Sequence, residues 1–366
     1  MIRMMRQHLD RLRTLSFKIG TYRPPSEGGS GSLLLQVTEN CPWNRCSFCS
    51  MYKEQGFVYR PVAAIKADID TVAAIREEIL AVSQKLGLDG AIDRSVGAAL
   101  LAEGRDLSGN ASFVTVFNWL AAGGATAFLQ DANSLVMRAG ELAEVLAYLR
   151  TTLPTLSRVT SYARSQTLAR KKPEELQLIR SAGLDRLHVG LESGDDEVLA
   201  LIDKGSTQAQ QIEGGRKAIA AGFELSEYWM PDLGGRERWR QHAENSAYAL
   251  SAINPHYIRS GPLVPRAGTP LFYEMTAGRL TLSSPHQRLE ELQVMVERLE
   301  LNSRVCFDHA MNAWSDRNGR LLFRQDYDGY RFPEEKPLLL ERIKEGLAVD
   351  EARHVHVRRL MSAQAL

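Results

Sequence analysis

SLLLQVTENCPWNRCSFCS, residues 32–50, brings three of the chain's four cysteines into nine residues directly after an apolar run. SLLLQVTEN reads as a core strand, so Cys41, Cys46 and Cys49 sit on the loop that leaves it, spaced C-x4-C-x2-C. Thiolates are soft donors, preferred by iron–sulfur clusters and by zinc. A closed structural zinc site needs a fourth Cys or His at suitable spacing, and none lies nearby. A cluster held by only three thiolates keeps one iron open to an exogenous ligand. That is unusual for simple electron transfer, where four protein ligands are the rule, and it points to catalysis. Zinc completed by a distant residue, and three buried cysteines without metal, are the competing readings.

Around this loop the sequence is organised as alternating strands and helices. MIRMMRQHLDRLRTLSFKIG, at the amino terminus, reads as a short helix, and TYRPPSEGGSGS (21–32) as a Pro/Gly/Ser linker. Pro61 opens a helix whose Val62, Ile65, Ile69, Val72, Ile75 and Ile79 form one apolar stripe. Strands are expected at ATAFLQD, RVTSYA, RLHVGLES, FELSEYWM and HYIRSGPLV, with helices between them, one of them interrupted at Pro173. The spacing predicts an α/β fold: a partial (βα)6 barrel of parallel strands, with the site at the strands' carboxyl ends. The barrel domain is expected over 33–275. A helical insertion is placed at about 71–118, and a helical carboxyl-terminal extension over 276–366, with SDRNGRLLFRQDYDGYRF as a solvated stretch within it.

The loop with its aromatic-flanked CSFC resembles the cluster loop of the radical S-adenosylmethionine (radical SAM) superfamily. LHVGLESGDDEVLALIDKG and LVPRAGTPLF resemble segments of the branch containing coproporphyrinogen dehydrogenases, methylthiotransferases and elongator-type enzymes. The resemblance runs from 33 to 275. It implies an oxygen-sensitive enzyme with two cofactors, a 4Fe–4S cluster on Cys41, Cys46 and Cys49 and S-adenosylmethionine chelated at the open iron. Reductive cleavage would then give a 5′-deoxyadenosyl radical that abstracts hydrogen from a small or medium organic substrate. It also implies a low-potential electron donor such as a flavodoxin or ferredoxin. A methyl or methylthio transferase of the same superfamily is the alternative, as is a non-catalytic iron–sulfur electron-transfer or binding protein.

Two departures stand out. The commonest loop of the superfamily has three residues between the first two cysteines, where this chain has Pro42, Trp43, Asn44 and Arg45. The Gly-Gly-Glu that meets the cofactor's amino group is missing; the matching position reads LQDANS, so Gln130, Asp131 or Asn133 has to serve.

The same resemblance places Phe48 near adenine, and Glu192 and Ser193 at the ribose hydroxyls. A carboxylate accepting two hydroxyl hydrogen bonds suits a diol, while Ser193 or Asp195 before Glu197 also reads as a helix cap. Arg164, at the end of RVTSYA, can fork onto the cofactor's carboxylate, and Ser161 is a candidate of the same kind. Met230 can line the adenine pocket. Tyr228 is a candidate substrate contact or hydrogen donor, and Arg259 a contact for an acidic substrate. Cys306 can quench a radical or sit as a structural thiol, with Asp308 and His309 beside it.

Composition sets the outer bounds. Lys and Arg number 45 against 44 Asp and Glu, for a net charge of +1, and no basic block marks a nucleic-acid footprint. No apolar stretch approaches the roughly 20 residues of a membrane span. Three clustered cysteines suit a reducing cytoplasm better than a secreted disulfide scaffold.

Overall fold

The computed structural model describes residues 2–21 and 31–361, so most of the linker expected at 21–32 lies outside the described residues. The chain is α/β, with an eight-stranded, mostly parallel sheet. It divides into two compact units: 1–42, 56–162 and 177–186 form the first, and 43–55, 163–176 and 187–366 the second.

In the first unit β1 (Leu33–Gln36) is followed by a small antiparallel pair, β2 (Thr38–Glu39) with β3 (Val58–Tyr59), whose intervening chain is the cysteine loop. β4 (Thr126–Gln130) pairs in parallel with β1, from Leu33 opposite Ala127 to Gln36 opposite Gln130. β5 (Arg158–Ala163) pairs in parallel with β4. The helix begins at Val62, just after Pro61, whose missing N–H costs nothing at a helix start. Most of its expected stripe is buried: Ile65, Ile69, Val72, Ile75 and Ile79 are fully enclosed, packed with the help of helix Ala139–Thr152, while Val62 at its start is half-buried. Truncating Ile69 or Ile75 to alanine would cost ~2–5 kcal/mol. This helix runs on to Lys85, so the first part of the expected insertion belongs to it. The rest is helices Arg94–Glu103 and Ala111–Ala121, capped by the side chains of Asp93 and Asn110.

The second unit carries β6 (Arg186–Glu192), β7 (Glu224–Trp229), β8 (Tyr257–Ser260), β9 (Arg304–Cys306) and β10 (Tyr330–Arg331), neighbours in that order. β8 is parallel to β7 and β9 to β8, whereas β10 runs antiparallel to β9. Helices Ser165–Arg170 and Pro173–Ser181 bear out the break expected at Pro173. Along β7, alternation puts Leu225, Glu227 and Trp229 on one face and Ser226 and Tyr228 on the other. Trp229 stacks on His242 of helix Gly235–Ile253, with ring centroids 5.7 Å apart, so the first of these faces packs against helices.

The carboxyl-terminal extension departs from its expectation. It has helices Pro285–Arg298 and Lys336–Leu347, but it also supplies β9 and β10 to the sheet. Three residues of β9 are too few to show a period in sequence. Nor is SDRNGRLLFRQDYDGYRF a solvated stretch: its Leu322, Phe323, Tyr330 and Phe332 are buried, with Phe323 stacked on Phe307 at 4.2 Å. Charged neighbours hide those four apolar anchors from a pattern search.

Candidate active site

None of Cys41, Cys46 and Cys49 is in a disulfide, and all three are half-buried, whereas Cys306 is fully enclosed. Trp43 and Ser47 help to fix the loop. The Trp43 indole donates to the Asp203 carbonyl at 2.7 Å, and the guanidiniums of Arg45 and Arg164 each lie 4.9 Å from its centroid. Gly205 lies beneath this ring, in the left-handed region at φ +71°. A Cβ there would fall 2.3 Å from the indole, so position 205 has room only for glycine. The Ser47 N–H donates to the Ile202 carbonyl, and the Ser47 carbonyl accepts from Leu271 N–H. Phe48 packs on an apolar cluster of Val198, Leu199, Ile202, Leu263 and Leu271, and Met230 packs on the same cluster. Both aromatic-pocket candidates therefore share one surface.

The end of β4 is spent differently. Gln130 donates to and accepts from the backbone of Gly20, so its amide is tied to the amino-terminal segment. One carboxylate oxygen of Asp131 accepts from Gln36 at 2.7 Å and from the Asn40 N–H at 2.8 Å, beside Cys41. Asn133 is buried at the head of a short turn. Ser161 donates to the carbonyls of Tyr162 and Leu129. In Gln130, Asp131 and Ser161 the structure shows polar side chains bonded to backbone, with Asp131 reaching the cysteine loop.

The ends of β6 and β7 are richer in charge. Glu192, in the left-handed region at φ +61°, accepts from the Lys204 ammonium at 2.9 Å. Gly190 makes room for them: a Cβ there would meet the Glu192 carboxylate at 2.1 Å and Lys204 Nζ at 2.9 Å. Glu227 is buried and neither of its carboxyl oxygens has a hydrogen-bond partner. Burial pushes its pKa well above the usual range, against the pull of Lys204 and with a further push from Glu192. Arg164 donates to the Lys204 carbonyl. The cap of helix Asp196–Leu201 is Asp195, whose side chain accepts from Val198 N–H; the Ser193 hydroxyl instead accepts from Asp195 N–H.

A row of polar side chains crosses the next strands. Register sets Tyr228 opposite Arg259 and Arg259 opposite Cys306. Tyr228 lies 5.6 Å from the ring of His188. Arg259 donates to Ser226 at 3.1 Å and pairs with Asp308 at 2.6 Å, which largely balances its charge. The Cys306 thiol reaches the Tyr327 carbonyl, and burial pushes its pKa up to about 12, so it stays protonated near neutrality. Burial also lowers the pKa of His309. Sequence reasoning missed Lys204, although it closes the LHVGLESGDDEVLALIDKG stretch, and the burial of Glu227, an acid on the face shared by Leu225 and Trp229.

Comparison with known proteins adds the missing frame. Residues 120–236 match the family model described as Radical SAM superfamily. That segment is similar to the radical SAM superfamily. The matched region begins downstream of the cysteine loop, so the three candidate ligands rest on the loop itself. Radical SAM proteins use a 4Fe–4S cluster and S-adenosylmethionine. Among the described residues no group of three or more His, Cys, Asp or Glu side chains is already arranged to hold a metal ion. The fit of a cluster therefore stands on donor type, spacing and the absence of disulfides. No curated protein matches the chain. Solved structures to which the chain is similar include methylornithine synthase, at 14% identity over 84% of this chain and 71% of that one, TM-score 0.44. Coproporphyrinogen III oxidase from Escherichia coli is 14% identical over 80% and 55%, TM-score 0.43. The Elp3 protein of Methanocaldococcus infernus is 13% identical over 49% and 46%, TM-score 0.41. This chain thus spans about half the length of the last two. No helix among the described residues is long and apolar enough to cross a membrane.

Proposed function

We propose that this chain is a radical SAM enzyme acting by hydrogen abstraction on a small or medium organic substrate in a reducing, cytoplasmic compartment. The observation that carries this reading is a three-thiol loop, held in shape by Trp43, Asn40 and Ser47, in a chain whose residues 120–236 match the radical SAM family model. Cys41, Cys46 and Cys49 would hold a 4Fe–4S cluster. When bound, the cluster and S-adenosylmethionine would supply radical chemistry driven by one low-potential electron.

The protein's own residues bind and orient. Glu192, held by Lys204, faces the ribose hydroxyls, and Phe48 and Met230 offer the apolar surface on which adenine rests. Tyr228, Arg259 and Cys306 then line the substrate side. Arg259, already balanced by Asp308, serves as a hydrogen-bond donor more than as a net charge.

The test is anaerobic reconstitution with iron and sulfide, reduction with dithionite and addition of S-adenosylmethionine. Formation of 5′-deoxyadenosine and methionine supports the reading. A chain that assembles its cluster yet yields neither is an electron carrier or binding protein instead. Deuterium transfer into 5′-deoxyadenosine from labelled metabolites then finds the substrate.

A further inference from the structure

Two strand ends in the second unit leave the sheet in the left-handed backbone region without glycine: Glu192 closes β6 at φ +61°, and Asp232 follows β7 at φ +71°. That region is costly for residues with a Cβ, by about 1–3 kcal/mol, and persists only where the surroundings hold it. One side chain links them, directly to Asp232 and through His242 to Glu192. Glu291, on helix Pro285–Arg298, accepts the Asp232 N–H through Oε2 at 2.7 Å and meets His242 Nδ1 through Oε1 at 2.5 Å. His242 turns its other nitrogen, Nε2, to the Glu192 carbonyl at 3.4 Å, the longest link, and that carbonyl also accepts from Met230 N–H at 3.0 Å. The imidazole stacks on Trp229, with planes 20° apart. His242, Glu291 and Asp232 are wholly buried, and Arg288 closes the group by pairing with the Asp232 carboxylate at 2.8 Å.

Hydrogen-bond chemistry fixes most of the protons. A carbonyl oxygen can only accept, so His242 carries hydrogen on Nε2; the other proton is shared between Nδ1 and Glu291. Either placement satisfies both ends, as a neutral acid with a neutral imidazole or as an ion pair. Burial raises the Glu291 pKa, in keeping with a proton held in this pair.

We infer that His242 and Glu291 are positioning residues. They act through the Glu192 backbone to hold its carboxylate, with Lys204, where the nucleoside of S-adenosylmethionine binds. This rests on the assignment of Glu192 proposed above. Both residues lie beyond the segment matched by the radical SAM family model, and Glu291 belongs to the carboxyl-terminal extension. The extension is therefore part of the cofactor site's support.

Three variants separate the hydrogen bonds from bulk. Glu291→Gln can still accept the Asp232 N–H and donate to Nδ1. Glu291→Leu can do neither. His242→Phe keeps a ring against Trp229 but loses both nitrogens. Binding of S-adenosylmethionine to the reconstituted full chain is measured by calorimetry. Hydrogen–deuterium exchange of peptides covering 187–194 and 229–235 is followed without cofactor. Glu291→Leu and His242→Phe should weaken binding at least tenfold and speed exchange in both peptides, with iron content unchanged; Glu291→Gln should stay within about threefold of wild type. A purely structural role would lower the melting temperature of all three without separating Gln from Leu. Wild-type affinity and unchanged exchange in His242→Phe would overturn the inference. If the wild type binds no S-adenosylmethionine, the cofactor assignment fails, and the exchange data alone still decide whether the pair positions Glu192. If Glu291→Leu does not fold, His242→Phe against Glu291→Gln decides.

Discussion

The end of β4 and the ends of β6 and β7 are equally polar, but they use that polarity in opposite ways. At β4, Gln130 and Asp131 close on backbone groups at Gly20 and Asn40 and on the Gln36 amide. At β6 and β7, Glu192 and Lys204 hold one another, and Glu227 keeps both oxygens unsatisfied in the interior. Buried polar groups are normally satisfied, so those that are not point to a role in binding or chemistry. We propose chain organisation for the first region and ligand recognition for the second. The contrast also separates the Gln130, Asp131 and Asn133 candidates from Glu192, though all four were drawn from the same expectation about cofactor contacts.

The largest effects belong to the loop that both regions serve. Cys41→Ala, Cys46→Ala and Cys49→Ala should each abolish the visible iron–sulfur absorption and bound iron, while Cys306→Ala should keep both. Loss of the cluster in Cys306→Ala would mean that a fourth side chain is a ligand. Next, Lys204→Met should weaken S-adenosylmethionine binding at least tenfold, or about 1.4 kcal/mol, by releasing Glu192. Full affinity there would erase the contrast from the β6 side. Gln130→Leu should instead lower unfolding free energy by about 1–2 kcal/mol, through two lost hydrogen bonds to Gly20, with little change in affinity. An affinity loss larger than that of Lys204→Met would reverse the assignment.

Smaller still is a pH effect. The Glu227 pKa in the folded chain lies above its ordinary value of 4.5, so its contribution to stability is fully present below that pH and is lost as pH rises. The unfolding free energy of wild type relative to Glu227→Gln should therefore fall from about pH 4.5 upward in urea titrations. A flat difference would show the acid is not desolvated. Finally, the buried Cys306 thiol, with its pKa near 12, should resist alkylation by iodoacetamide at neutral pH until the chain unfolds.

Much of this was legible in the sequence because the signals are local. The Ile65–Ile79 stripe, the strands from ATAFLQD to HYIRSGPLV, and the cysteine spacing each lie within a few turns or one loop. What escaped was long-range. Lys204 reaches Glu192 across a helix, and His242 meets Glu291 from 49 residues away. β9 is too short to carry a pattern, and the apolar anchors near Phe323 are diluted among charges. The resemblance supplied roles for single positions. It could not say which side chains would already be occupied, since occupancy depends on partners far away in the chain.

Trp43 adds a consequence of a different kind. Its indole is clasped by Asp203 and two arginines over a glycine floor, and it sits in the chain between the first two cysteines. This part of the loop is thus held by groups that need no iron, while among the described residues the three thiols are not yet gathered as a metal site, so metal delivery draws them into a socket on a segment already fixed rather than folding the chain. Stripping iron with a chelator should then leave an intact, reloadable protein, and emission from that tryptophan would dim and brighten as the socket fills and empties.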